Sequence, residues 1–158
     1  MPTTNAILQR RTVFAVADLR AYFEGAWRVA RLIADRRADR CGRFIGTAYF
    51  TAAKDGLVYE EKGGLRFGDW RGPAWQAYAY DFEQSAPSAV TVRFLDGRLF
   101  HAFDLATGHA EVAHACGDDR YSGEITALGS DAFETRWEIL GPRKEQTIRT
   151  RYRRLTPP

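Results

Sequence analysis

All three histidines of the chain, His101, His109 and His114, fall between Asp96 and Gly123, together with Cys116, Asp118, Asp119 and Tyr121. No other window gathers so many groups able to move protons, bind a metal or donate hydrogen bonds. Side chains alternate along a strand. His101 therefore shares a face with Leu99, Phe103 and Leu105, and His114 shares one with Ala110, Val112 and Cys116. Both are the more apolar faces of their segments, where a barrel interior would lie. Tyr121 heads a third face whose small residues, Gly123 and Ala127, leave room in a lumen. The candidate ligand site is thus a pocket of His101, His114, Cys116 and Tyr121, with Trp27, Tyr78 and Tyr80 on its walls.

Three chemistries fit such a set. A His–Tyr or His–Asp pair in a mostly apolar pocket suits general acid–base work of the isomerase, cyclase or dehydratase kind, with His101, His114 and Tyr121 as candidates. Cys116 as a nucleophile needs a histidine within about 3 Å to hold it as thiolate. His114 lies two residues away on the same face, about 6–7 Å by strand rise, which makes His101 the better partner. His101, His114 and Cys116 are also ligand types that zinc accepts, but no paired knuckles accompany them and no metal is assigned. Plainer roles stand beside these. Barrel histidines often only hydrogen-bond a carboxylate or tyrosine; Tyr78, Tyr80 and Phe82 also read as core; Asp118 and Asp119 read as turn formers. Asp104 either orients a histidine or pairs with Arg98. There is no Gly-x-Ser-x-Gly, phosphate loop or dinucleotide fingerprint, so no cofactor is implied.

The elements that would position these groups are strands. Val16, Leu19, Tyr22 and Phe23 are spaced for one short amphipathic helix over residues 16–23, ended by Gly25. Thereafter the hydrophobic period is two. Strands are expected over 27–33, 43–51, 57–62, a loosely connected 63–73, 75–82, 89–95, 98–105, 109–116, 121–128, 132–140 and 145–155. Asp96-Gly97 is the clearest hairpin turn, because glycine supplies the positive φ that a tight primed turn needs. Turn signals every 8–12 residues with almost no helix mark an antiparallel barrel or sandwich. About ten strands in meander order are expected, since closing the barrel removes exposed edges. Residues 1–15 read as a loose arm and 16–158 as one domain.

Composition bounds the function. The 158 residues are 45% hydrophobic and 13% aromatic, which excludes a disordered chain and suits one closed core. The net charge of +3 favours solubility and does not itself point to nucleic acid. Two arginine clusters, Arg36, Arg37 and Arg40, and Arg149, Arg151, Arg153 and Arg154, read as a solvated rim and the outward face of a last strand. No nucleic-acid or membrane partner is expected, because no recognised basic module and no long apolar stretch is present. Two cysteines make no disulfide framework, and the first residues lack the order of a signal peptide, so a cytoplasmic location with free thiols is expected. Oligomeric state leaves no mark on the sequence.

A short helix followed by Gly25-Ala26-Trp27 on a first strand resembles the calycin superfamily, which holds the lipocalins and fatty-acid-binding proteins. The resemblance implies that Trp27 closes the narrow end of a barrel and packs against a last-strand arginine, Arg151 or Arg153. From about Leu19 to Leu155 the chain is also identified as a member of domain-of-unknown-function family 6314, found in bacteria and fungi. That resemblance rests on GAWRVARLIAD, DGRLFHAFDL, HACGDDRYSG, Trp137 and Gly141-Pro142-Arg143-Lys144, and it brings no activity with it. The expected fold is therefore all-β, a single antiparallel calycin-like barrel with one short N-terminal helix. The expected function is binding of a small, partly apolar molecule in the lumen, with Arg31, Arg136 or Lys144 as clamps for a carboxylate at the mouth. The competitors are the acid–base enzyme, and a filled barrel serving as an interaction module with an exposed apolar patch.

Overall fold

A computed structural model describes residues 12–155. The expected arm lies outside the described residues as far as residue 11; beyond it the Phe14 N–H donates to the Ala127 carbonyl at 2.9 Å. One short helix, α1 (Leu19–Phe23), precedes ten antiparallel strands. These are β1 (Gly25–Asp35), β2 (Arg40–Ala53), β3 (Gly56–Phe67), β4 (Trp70–Asp81), β5 (Ala89–Arg93), β6 (Leu99–Asp104), β7 (His109–Cys116), β8 (Asp119–Gly129), β9 (Ala132–Gly141) and β10 (Lys144–Arg154). The sheet order is β6-β5-β4-β3-β2-β1-β10-β9-β8-β7, a meander turned on itself by the β1–β10 ladder. Strands β6 and β7, joined by a tight turn, share no ladder and form the seam of a nearly closed barrel. Gly97 has φ +91°, the backbone that the β5–β6 turn requires.

Two boundaries differ from expectation. The helix is shorter, because the Asp18 side chain caps it by accepting from Ala21 N–H at 3.0 Å; Val16 is buried outside it. The segment 63–73 is not a strand of its own. Gly63 and Gly64 lie inside β3, and the chain turns at Gly68-Asp69. Gly46 and Gly63 are partners across the β2–β3 ladder, and a Cβ on either would meet the facing backbone. These strand glycines therefore mark a close approach of two backbones, where sequence alone suggests a break.

Alternation decides what fills the barrel. Trp27, Val29, Phe44, Phe50, Leu57 and Tyr59 point inward and are buried. The helix forms the floor. Phe23 stacks on Phe50 with ring centroids at 4.9 Å and meets Phe133 edge-on at 5.1 Å, and such ring pairs stabilise by about 0.5–1.5 kcal/mol beyond area burial. Trp27 is fully buried beneath them, its indole N–H donating to the Phe23 carbonyl at 2.8 Å. The arginine over its ring is Arg154, at 4.3 Å. Arg151 and Arg153 do not take that place, because Thr150, Tyr152 and Arg154 form the inward face of β10.

Candidate functional site

Above the Phe23 floor the barrel encloses a cavity of about 850 Å³. Its exposed lining residues are Arg98 and Leu99 at the β5–β6 turn and Ala115, Cys116 and Gly117 at the β7–β8 turn. These two turns therefore frame the mouth, beside the seam. Most of the remaining wall is aromatic, and two polar regions interrupt it.

The first polar region lies on β1, β3 and β10. Glu61 is only 2% exposed and receives two hydrogen bonds from the Arg31 guanidinium, at 2.5 and 2.9 Å. The Tyr59 hydroxyl donates to the same carboxylate and stands 3.3 Å from the Tyr152 hydroxyl. Arg31 Nε–H donates to Thr150 Oγ1 at 2.9 Å, and its guanidinium lies 5.1 Å from the Phe44 ring centroid. Burial pushes the Tyr59 and Tyr152 phenols above their ordinary range, so both stay protonated donors. Charge and hydrogen bonds both balance here. Arg31 thus faces inward as a carboxylate clamp must, but its partner is internal. Strand parity exposes that partner: Leu57, Tyr59 and Glu61 alternate on one face, and a carboxylate on an otherwise apolar face signals a buried cation.

The second region lies at the seam. His101 on β6 packs among Phe100, Trp137 and Phe103 with ring centroids at 4.7, 5.2 and 5.6 Å. Its Nδ1 is buried without a hydrogen-bond partner. Burial, and then the nearby His114, lower its pKa to about 4, so the ring is neutral at physiological pH. His114 stacks on Phe100 at 5.1 Å and sits opposite Tyr121 in the β7–β8 ladder, rings 5.8 Å apart. Trp137 reaches His101 by lying over Gly123, where a Cβ would come within 2.7 Å of its ring. Strict alternation from His101 puts Phe100 on the outer face. A bulge at Val92/Arg93 shifts the β5–β6 register, and Phe100 and His101 both line the lumen.

Six of the seven expected ligand-site residues line this one cavity: Tyr78, Tyr80, His101, His114, Cys116 and Tyr121. Trp27 does not, since it lies below the floor. Tyr78 is pushed up to about 12 by burial. Among the described residues Cys116 is a free, exposed thiol bonded to neither histidine. Nor do His101, His114 and Cys116 bring their donor atoms within 4.8 Å of one another, as a metal set would. His109 is on the outer face, its Nδ1 2.9 Å from Thr126 Oγ1. Asp104 accepts from Ala106 N–H at 2.8 Å, and Arg98 pairs with Asp96. Arg136 and Lys144 are not clamps: Arg136 points outward to Glu138, and Lys144 lies 3.2 Å from Asp119.

A family model matches residues 23–154. The chain belongs to DUF6314, a family of unknown function. The fold of this family member is shared by solved structures of very different sequence. An S-type phycobiliprotein lyase, CPES from Guillardia theta, superposes with a TM-score of 0.69 at 9% identity, covering 92% of this chain and 95% of that one. A protein of unknown function from the DUF3598 family of Nostoc punctiforme gives 0.56 at 10% identity. That match covers 92% of this chain, which spans about half (51%) of the other. At these identities the likeness is one of fold. No curated protein sequence matches the chain.

Proposed function

We propose that this barrel binds one small, planar, largely apolar molecule in its lumen, and that His101 supplies the polar contact that orients it. The observation behind this reading is the cavity of about 850 Å³ with an unpaired, buried His101 Nδ1 on its wall. The volume falls in the range of small-molecule sites, which are typically apolar with a few convergent polar groups. Aromatic rings on most sides favour a flat, conjugated or aromatic guest. A neutral imidazole with an open nitrogen favours a guest carrying a hydrogen-bonding N–H, O–H or carbonyl over a charged one. The filled-barrel alternative calls for packed side chains where the cavity lies.

The acid–base reading keeps one supporting observation, since His101, His114 and Tyr121 line the same cavity. A histidine held near pH 4 is a weak general base at neutral pH, whereas catalysis favours a pKa near the working pH. Binding is therefore the better account. Titration with a panel of flat, environment-sensitive dyes tests it. Saturable binding of one dye per chain is expected, abolished by Thr135→Trp, which fills the lumen, and weakened by His101→Phe. Binding that survives Thr135→Trp in a folded variant contradicts a luminal site.

A further inference from the structure

The outer face of the barrel carries an ordered charge pattern that the linear sequence disperses. Arg43, Arg66 and Arg71 stand directly opposite one another on β2, β3 and β4, all exposed. The same transverse row continues through Leu32 on β1 to Arg149 on β10. A parallel row holds Trp75, Lys62, Thr47, Arg28 and Arg153. Between them lies Pro73, Gly64, Ile45, Ala30 and Arg151. No carboxylate occupies these three rows. Like charges directly opposite in a sheet repel. Among the described residues Arg28, Arg43, Arg66, Arg71, Arg149 and Arg153 nevertheless form no ion pair. Outward-facing carboxylates are more numerous on β7–β9, at Glu111, Glu124, Glu134 and Glu138; beside the three rows, Glu60 on β3 pairs with Lys62 and Glu134 with Arg151.

Large apolar side chains stand among these cations. Leu32 is 62% exposed, Ile45 42% and Trp75 57%. Leu32 and Ile45 are diagonal neighbours across the β1–β2 ladder and make an apolar crest flanked by Arg28, Arg43 and Arg149. Single-stranded nucleic acid asks for a basic groove with stacking rings. Here the surface is the convex outside of a barrel; Leu32 and Ile45 make its crest, and the exposed rings of Trp75 and Tyr49 flank it on separate strands without forming a groove. Apolar side chains among arginines, whose stems snorkel, match the boundary between anionic headgroups and acyl chains. We propose that the outer face of β1–β4 docks on an anionic lipid surface, with Leu32, Ile45 and Trp75 entering the boundary and Arg28, Arg43 and Arg66 meeting lipid phosphates. This departs from the expectation drawn from the sequence, where the arginines lie on separate segments and only the ladder register assembles them. It is independent of what the lumen holds.

Sedimentation of the whole chain with phosphatidylcholine vesicles containing phosphatidylserine, against pure phosphatidylcholine vesicles, tests the proposal at 0.1 M salt. Retention on the anionic vesicles alone is expected. One surface arginine near such a membrane contributes about fivefold in partitioning, so Arg43→Ala with Arg66→Ala lowers it about 25-fold. Arg120→Ala, one charge removed from β8, leaves it within about twofold, where Arg43→Ala alone lowers it about fivefold. Leu32→Ser with Ile45→Ser weakens retention without touching charge, and melting curves confirm that each variant folds. Absence of anionic retention overturns the docking face, as does an equal loss from Arg120→Ala. Tighter capture by single-stranded RNA, indifferent to Leu32 and Ile45, assigns the face to nucleic acid instead.

Discussion

Two polar regions face one lumen from opposite sides of the strand ring, and they differ in how their hydrogen bonds are spent. At Arg31–Glu61 each charge meets its opposite, and Tyr59, Tyr152 and Thr150 complete the set. At His101 the ring is enclosed by aromatic neighbours and its Nδ1 meets no protein atom that can donate or accept. A buried polar atom left alone costs about 1–3 kcal/mol. A completed network organises the barrel; an incomplete one leaves a valence for a guest. The difference therefore separates what holds the fold from what the fold holds.

The comparison breaks most visibly at the completed side. Glu61→Leu strands the Arg31 charge in the interior, and chemical denaturation should register a loss of about 3–5 kcal/mol. Replacing both partners, with Arg31→Met added, should return most of that loss, because two charges then leave together. A double variant as unstable as the single would mean that the pair does more than balance itself.

Acid separates the two regions further. The folded His101 pKa of about 4 lies below the ordinary histidine value of 6.5, so the unfolded chain binds that proton first. Keeping this ring neutral costs the fold nothing above pH 6.5; a penalty builds as pH falls towards 4 and is constant below it. Its full size is about 3 kcal/mol. His101→Phe should flatten the stability profile between those two pH values, and should leave neutral-pH stability level or up to about 1 kcal/mol higher. A profile as steep as the parent's would place the titration elsewhere.

Subtler changes sharpen the seam. Gly123→Ala pushes a methyl group against the Trp137 ring, an overpacking cost of about 1–3 kcal/mol. Because Trp137 packs on His101, tryptophan fluorescence and dye binding should change together. Cys116→Ser at the mouth should move stability by less than about 0.5 kcal/mol. A large effect of that substitution on dye binding would draw the thiol into the site.

Strand count, meander order and the gathering of His101, His114, Cys116 and Tyr121 were legible in the sequence because each follows from a period of two and from turn residues. The errors arose where one strand's geometry depends on its partner. The bulge that brings Phe100 inward lies in the β5–β6 pairing, so β6 read by itself puts that ring outside. Gly63 and Gly64 read as a break because only the facing Gly46 explains them. The Arg31–Glu61 pair joins strands that are not neighbours in the sheet, and alternation gave each residue its face without giving it a partner. The choice of Arg154 over Arg151 and Arg153 beside Trp27 was open to the same alternation, counted from the buried Tyr152.

Native mass spectrometry of the chain purified from its own host tests the central claim most directly. The account predicts one co-purifying organic mass per chain, retained in Cys116→Ser and lost or sharply reduced in His101→Phe. An empty wild-type chain, or a bound mass that His101→Phe leaves untouched, would contradict it.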